Sequence, residues 1–379
     1  MTYKSGNQRL SEDLIIDVLT RLPVKSLVRF RCVCKNWYSL TINSSFITKH
    51  LHHSRNSAHL LVYHFNDSAE KYVLTLFLDE TLASFSHLHY DLDGLPCFSE
   101  PSILGTFNGI LGLWNHDRIT LWNPATRVFR SLLMPNPNLP SYFNVYHSYF
   151  GFGLDLETND YKVVSIRKYW NDKNDDPYDP NVVSVYNLCT NSWRLFQDSS
   201  PSRFVHDSIL SNTYMNGLYY WLTLDESDQF YAVVSFDMGN EVFRYISGPP
   251  NLSRMEYGIR VMYFDSIALI YFETHKVEKH FDSWVMEEEG CWTKQLSIGP
   301  LLDVEASFGI WKNGELFLRI STEELVLYDP NTREIKNLQY RCNSSLQAFM
   351  YMESLVSVRG ENKLLAPKLG SHLSDDVDQ

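Results

Sequence analysis

At 379 residues, 44% hydrophobic and 14% aromatic, the chain is long enough to bury a large core and to divide into two or three domains. A formal net charge of −12 argues against nucleic acid as the main ligand, no apolar run approaches the ~20 residues that span a bilayer, and residues 1–9 are too polar for a signal peptide. A globular protein of a reducing compartment is expected, cytoplasmic with the nucleus also open, and with neither membrane nor nucleic acid as partner.

Charge is split along the chain. Residues 1–53 hold eight Lys/Arg against three acids, a balance of +5, and the other 25 bases and 42 acids leave −17 on the rest. A basic head on an acidic body suits an acidic partner at one end and a basic one at the other. The cysteines at 32, 34, 97, 189, 291 and 342 lie in apolar or strand-like contexts without a CxxC pair or disulfide-like clustering. Mostly buried thiols are expected.

The first element is a helix capped by Ser11, with Glu12 and Asp13 in its first turn and an apolar stripe of Leu14, Ile15, Val18, Leu19 and Leu22. Pro23 ends it. A second helix runs through Leu27, Phe30, Arg31 and Val33, a third starts near Lys35 and places Trp37 and Leu40, and a fourth, capped near Ser44 or Ser45, carries Phe46, Ile47 and Leu51. A unit of ~40 residues rarely supplies enough core to stand alone, so it should bury a face against another protein.

Leu22-Pro23-Val24-Lys25-Ser26-Leu27, the block from Arg31 to Trp37 and Asn43-Ser44-Ser45-Phe46 resemble the F-box, by which substrate receptors attach to the Skp-type adaptor of a cullin-RING ubiquitin ligase. The match covers about residues 8–52. Leu10-Ser11 stands where the family usually has Leu-Pro, and Ser is also a good cap. The resemblance implies adaptor contacts at Leu10, Leu14, Leu22, Pro23, Leu27, Val33, Cys34 and Trp37, with cullin and RING protein reached through the adaptor.

Beyond residue 54 the hydrophobic period shifts from about 3.6 to 2. Tight turns near 108, 159, 216, 265 and 313 alternate with turns near 126, 190, 239, 289 and 332. The period is close to fifty, as in kelch-like propellers, and each pair of turns makes one four-stranded blade. One period before 126, residues 73–85 read as a hairpin of a sixth blade lacking its inner strands, while 349–358 read as a strand lacking a blade. Pairing these two would close a ring and remove exposed edges. The same hairpins also fit an open two-sheet β domain.

Trp122-Asn-Pro-Ala-Thr-Arg127, Gly151-Phe-Gly-Leu-Asp155 with Tyr161-Lys-Val-Val164, and Tyr351-Met-Glu-Ser-Leu-Val356 resemble the F-box-associated domain of plant F-box receptors over about 96–358. Trp292-Thr-Lys-Gln-Leu-Ser-Ile-Gly-Pro-Leu301 and His89-Tyr-Asp-Leu92 resemble the S-locus F-box proteins of pollen and their relatives. That likeness implies S-RNases, the pistil ribonucleases taken into pollen tubes during self-incompatibility, as the target class. A general plant F-box receptor with another target, in defence or hormone signalling, is the alternative.

Motifs of catalysis do not appear: there is no GxSxG, HExxH, Walker lysine loop or GxGxxG. Cys32-Val-Cys34 on a helix would point its thiols about 200° apart, which argues against zinc with His50, His52 and His53. No metal or cofactor is expected. Trp122, Trp193, Trp221, Trp284, Trp292 and Trp311 recur at similar places in successive blades, which suits packing between blades better than a ligand cage. The turns 123–126 and 329–332 are explained by the turn preference of Asn, Asp, Pro and Thr.

The acidic loop 171–180, an insertion, carries Asp172, Asp175, Asp176 and Asp179; a second loop carries Asp225, Glu226 and Asp228. Both join the second and third strands of their blades, so they share a face with the inter-blade loops, away from the tight turns. They are the candidate target-binding residues.

The sequence therefore gives an α+β multidomain chain: an F-box (1–53), a linker with a first partial blade (54–95), an all-β, kelch-like propeller of about six blades closed by the C-terminal strand (96–358), and a polar tail (359–379). Its expected role is non-catalytic substrate receptor of an SCF-type ubiquitin ligase.

Overall fold

The computed structural model describes residues 11–54, 59–77, 87–90, 101–115, 118–196, 212–224, 230–250, 257–263, 266–273, 276–311, 314–343 and 345–359. Four helices come first: α1 (Glu12–Thr20), α2 (Val24–Phe30), α3 (Lys35–Ile42) and α4 (Ser44–Ser54). Ser11 caps α1 by accepting the Leu14 N–H at 3.4 Å. The Asn43 side chain accepts from Ser45 and Phe46 at the start of α4. His50, buried in α4, meets the Leu22 carbonyl at 3.0 Å and ties α4 to the end of α1. Among the described residues no helix is long and apolar enough to cross a membrane.

The strands form six antiparallel four-stranded sheets among the described residues. Blade one takes β1 (His59–Asn66), β2 (Lys71–Phe77) and β3 (His87–Tyr90). Blade two has β4 (Ser102–Phe107), β5 (Ile110–Asn115), β6 (Arg118–Asn123) and β7 (Val128–Leu133). Blade three has β8 (Phe143–Asp155), β9 (Asp160–Asn171), β10 (Asp176–Asn187) and β11 (Ser192–Phe196). Blade four has β12 (Asn212–Met215), β13 (Leu218–Leu224), β14 (Tyr231–Asp237) and β15 (Phe243–Ser247). Blade five has β16 (Tyr257–Tyr263), β17 (Ile267–Glu273), β18 (Lys279–Glu288) and β19 (Cys291–Leu301). Blade six has β20 (Val304–Ile310), β21 (Leu316–Ile320), β22 (Glu324–Tyr328) and β23 (Ile335–Arg341).

The last strand, β24 (Gln347–Tyr351), completes blade one by pairing with β1, His59 opposite Tyr351 and Tyr63 opposite Gln347. Blade one is thereby four-stranded in the order β24-β1-β2-β3, and its inner strands are the two that the repeat lacked. The innermost strands β24, β4, β8, β12, β16 and β20 touch in succession around a closed ring. The C-terminal strand is shorter than the sequence suggested: it ends at Tyr351, and residues 352–358 leave the sheet. The turn expected within 73–85 falls on 78–86, outside the described residues, as does the tail from 360 onward.

Why the blades hold together is visible in where apolar side chains go. Each of the six buried clusters lies at a seam between neighbouring blades: Trp122 with Leu61 and Tyr63, Ile119 with Phe150, Trp221 with Val164, Val233 with Leu269, Phe281 with Leu316, and Trp311 with Leu60. A middle strand such as β14 is packed on both faces and reads as a near-continuous apolar run. Outer strands such as β7 and β11 are only partly covered, with one buried residue between them. Of the six tryptophans expected between blades, Trp122, Trp221 and Trp311 are buried at seams, Trp193 and Trp292 are half-buried against two others, and Trp284 instead meets Tyr271 of its own blade; Trp221 buries its ring and donates its indole N–H to the Phe150 carbonyl at 3.0 Å.

At the seam of blades three and four sits a charged clamp. Lys162 Nζ, nearly fully buried, lies 2.9 Å from Asp155, 2.9 Å from Glu241 and 2.7 Å from the Met238 carbonyl. Burial alone would raise the Asp155 pKa, but hydrogen bonds from Thr158, Lys162 and Glu157 outweigh it and hold the carboxyl below the usual range.

Two outcomes test this architecture. Lys162→Met removes the only cation paired, among the described residues, with the buried Asp155 carboxylate and leaves Glu241 with Arg194 alone, and is expected to cost about 3 kcal/mol in denaturant unfolding at pH 7. Because the folded Asp155 pKa is depressed, its contribution is full above about pH 4–5 and is lost as pH falls through the folded value, so the gap between wild type and Lys162→Met should narrow in acid. A chain ended before Gln347 is expected to be insoluble, since β1 then presents an open edge; a soluble monomer with a cooperative calorimetric transition would show that closure is dispensable.

Candidate functional site

Two surfaces on opposite ends of the propeller axis carry the candidate residues. In each blade the turns between first and second and between third and fourth strands lie on one face, and the remaining loops on the other. The helices sit on the turn face. Leu19, Val24, Leu27, Phe46 and Ile47 share one buried cluster with Leu104, Phe152 and Leu188 of blades two and three and with Leu355, Val356 and Val358.

The eight residues expected at the adaptor separate accordingly. Leu14, Pro23, Val33 and Cys34 are exposed; Leu22 and Trp37 are half-buried, Trp37 against Phe30 with ring centroids 5.2 Å apart. Leu10 lies outside the described residues. Leu27 is 0% exposed and is corrected: it lies inside the cluster that the helices share with the propeller, three residues after the buried Val24 on the same face of α2. The structure adds Val18, Tyr38 and Ile42, each about half exposed. Leu14 with Val18, and Tyr38 with Ile42, are i, i+4 pairs, a spacing already present in the sequence.

The cysteines are likewise mostly at the surface. Cys32, Cys34, Cys189 and Cys291 are exposed and Cys342 is buried; Cys97 is outside the described residues. Their positions explain it. Cys34 precedes α3 in extended backbone, and Cys189 and Cys291 sit at hairpin ends. Among the described residues no group of three or more His, Cys, Asp or Glu could hold a metal ion.

The acidic insertion is a strand extension rather than a loop. β8 and β9 run to 13 and 12 residues, against 6 each for β4 and β5, which carries their ends roughly 20 Å further at 3.3 Å per residue. Only residues 172–175 form the turn. Asp172, Asp175 and Asp176 are exposed there; the side chain of Asp179, in β10, and all of Asp225, Glu226 and Asp228 lie outside the described residues.

The arm tip is held in place. The Asp172 N–H donates to the Tyr142 carbonyl at 3.0 Å, its carboxylate accepts from Asn144, and Lys173 Nζ lies 3.9 Å from the Tyr142 ring centroid. Val145 and Tyr146 are 51% and 55% exposed, with the Tyr146 and Trp170 ring centroids 5.5 Å apart. This aromatic patch beside the acidic turn was missed from the charges alone, although the run from Tyr142 to Tyr149 carries four aromatic residues.

Residues 55–356 match the family described as F-box associated beta propeller domain, and residues 8–49 match the F-box domain. The chain belongs to the F-box-associated β-propeller family. Relatives in Arabidopsis thaliana include F-box protein At3g07870, 27% identical across 88% of this chain and 88% of the relative, and F-box protein CPR1, 25% identical across 91% and 88%. Among solved structures, a polysaccharide lyase of family PL25, an ulvan lyase, aligns over 80% of this chain and 79% of its own with a TM-score of 0.41 and 10% identity. An F-box joined to this propeller implies a substrate-receptor role in an SCF complex, with the F-box binding the Skp-type adaptor.

The exposure pattern separates binding from folding effects. Leu14→Ala with Val18→Ala removes two exposed apolar side chains and is expected to weaken adaptor binding at least ~30-fold, about 2 kcal/mol, without shifting thermal unfolding. Leu27→Ala should instead lower stability by about 2–5 kcal/mol. Calorimetric titration with the adaptor and thermal melts distinguish the two.

Proposed function

We propose that the chain is a non-catalytic receptor that holds a basic target protein against its loop face, chiefly on the blade-three arm, and presents it to the ubiquitin-charged partner. The carrying observation is the placement of Asp172, Asp175 and Asp176 beside exposed Val145 and Tyr146, on the end of the propeller opposite the F-box. Exposed aromatic rings supply contact area at low entropic cost, and acidic neighbours select basic partners and speed encounter. The −17 balance beyond residue 53 extends the same preference over the domain. A secreted, basic S-RNase taken into the pollen tube has the required chemistry, and its capture in the cytoplasm would mark it for degradation.

Purification from pollen of the chain with its bound proteins tests adaptor and target together; recovery of adaptor with a target other than a ribonuclease would overturn the target assignment while keeping the receptor role. With purified S-RNase, Asp172→Asn, Asp175→Asn and Asp176→Asn combined should slow association and flatten its salt dependence, leaving adaptor binding unchanged, because such charges act within the ~8–10 Å screening length. Wild-type kinetics from low to high salt would remove the arm from the recognition surface.

A further inference from the structure

Helix α3 closes its C-terminal end with a side chain from outside itself. No basic residue lies in its last turn, and Asn43, its C-cap, has extended backbone and donates its N–H to the Leu40 carbonyl at 3.1 Å. The last carbonyls of a helix have no partner within it, and they carry the negative end of its dipole.

Arg31 meets both needs. It is the first residue of the link between α2 and α3 and lies ten residues before Thr41. Its Nε donates to Thr41 Oγ1 at 3.2 Å and its Nη2 to the Thr41 carbonyl at 3.5 Å. Thr41 is fully buried, and its hydroxyl donates in turn to the Tyr38 carbonyl at 3.0 Å. The guanidinium thereby ties the start of the link to the far end of α3 and brings a positive charge to that end. Beyond it there is no slack. Asn43 alone separates α3 from α4, and its side chain caps α4 by accepting from the N–H groups of Ser45 and Phe46 at 2.9 and 3.3 Å.

The turn held in this way presents Tyr38 and Ile42, 51% and 48% exposed. Their i, i+4 spacing places them side by side on one face of α3. Ile42 is the last residue of the helix, so fraying of the final turn would part the pair. Eight Lys/Arg against three acids over residues 1–53 favour an acidic partner on these helices.

We propose that Arg31 is a positioning residue for adaptor binding: by closing the last turn of α3 against the α2–α3 link, it holds Tyr38 and Ile42 as an apolar anchor that the Skp-type adaptor covers. The occupant of that surface rests on the receptor reading; its geometry does not. Order already present in the free chain lowers the entropy that binding must remove.

The test titrates the full chain with purified Skp-type adaptor by calorimetry and follows amide hydrogen exchange on the chain alone. Tyr38→Ala with Ile42→Ala should weaken binding at least ~10-fold. Arg31→Met keeps the apolar stem and should weaken it about 5–10-fold, while the Ile42 and Asn43 amides exchange about 10-fold faster. Thr41→Val removes the hydroxyl that Arg31 Nε meets and should reproduce both effects in smaller measure. Added to Tyr38→Ala and Ile42→Ala, Arg31→Met should weaken binding by less than about twofold more, because a residue that acts through a surface has no effect once the surface is gone. A full further loss in that background would make Arg31 a direct contact and overturn the positioning role. Unchanged affinity in Tyr38→Ala with Ile42→Ala would take this face of α3 out of the interface, and unchanged exchange in Arg31→Met would show that α3 closes without it; either overturns the proposal. Failure of the wild-type chain to bind any Skp-type adaptor would overturn the receptor reading and the occupant with it, while exchange on the chain alone still decides whether Arg31 closes α3.

Discussion

The pairing of β24 with β1 is the constraint on which the rest of the molecule depends. Each blade is a thin sheet whose apolar side chains find cover only on the neighbouring blade. Opening the ring at blade one frees the seam between blades six and one, which holds ten buried side chains. At about 1.5–3 kcal/mol for each such side chain, exposing even a third of them matches the whole stability of a typical domain, about 5–15 kcal/mol. Five residues of strand thus decide whether six local packings become one cooperative structure.

The closed ring then divides its labour between its two ends. The turn face carries the fixed polar chemistry: Lys162 clamped between Asp155 and Glu241, and Asn123 gripping the backbone after β24. These groups are buried and satisfied, so they specify one arrangement of blades and helices. The loop face carries the connections between blades and the blade-three arm. A rigid support with variable loops is the arrangement in which contacts to a partner can change without cost to the core.

Most of the fold was legible because its turns have chemistry: Asn108-Gly109 and Asn216-Gly217 adopt positive φ, which Asn and Gly tolerate. The F-box was legible because its helices carry caps and an apolar period. What was not legible depended on which neighbour covers an exposed-looking residue. Leu27 belongs to an apolar stripe whichever protein covers it, and only the position of Leu355 and Val356 shows that the cover lies within the chain. The acidic insertion looked like a loop because its Asn, Asp and Pro residues disfavour strands, yet pairing of Asp176 with Asn171 and Tyr178 with Tyr169 extends the sheet. The strand at the C terminus was drawn too long because Ser354 and Val356 have the alternation of a strand while their backbone carbonyls bond to Asn123 instead.

The order of the chain gives the β24–β1 pair one more consequence, for synthesis. Tyr63 and its partner Gln347 are separated by nearly the whole propeller, and translation at roughly 5–20 residues per second would leave the edge of β1 without its partner for roughly 15–60 seconds. The helices emerge earlier still, before Leu355, Val356 and Val358, which share their buried cluster, exist. A ribosome that stops short of the last blade therefore releases a chain with a complete adaptor motif but an unclosed ring, an aggregation-prone species of the kind chaperones engage. Placing the closing strand after all six blades makes synthesis of β24 the event that turns a string of hairpins into one closed ring.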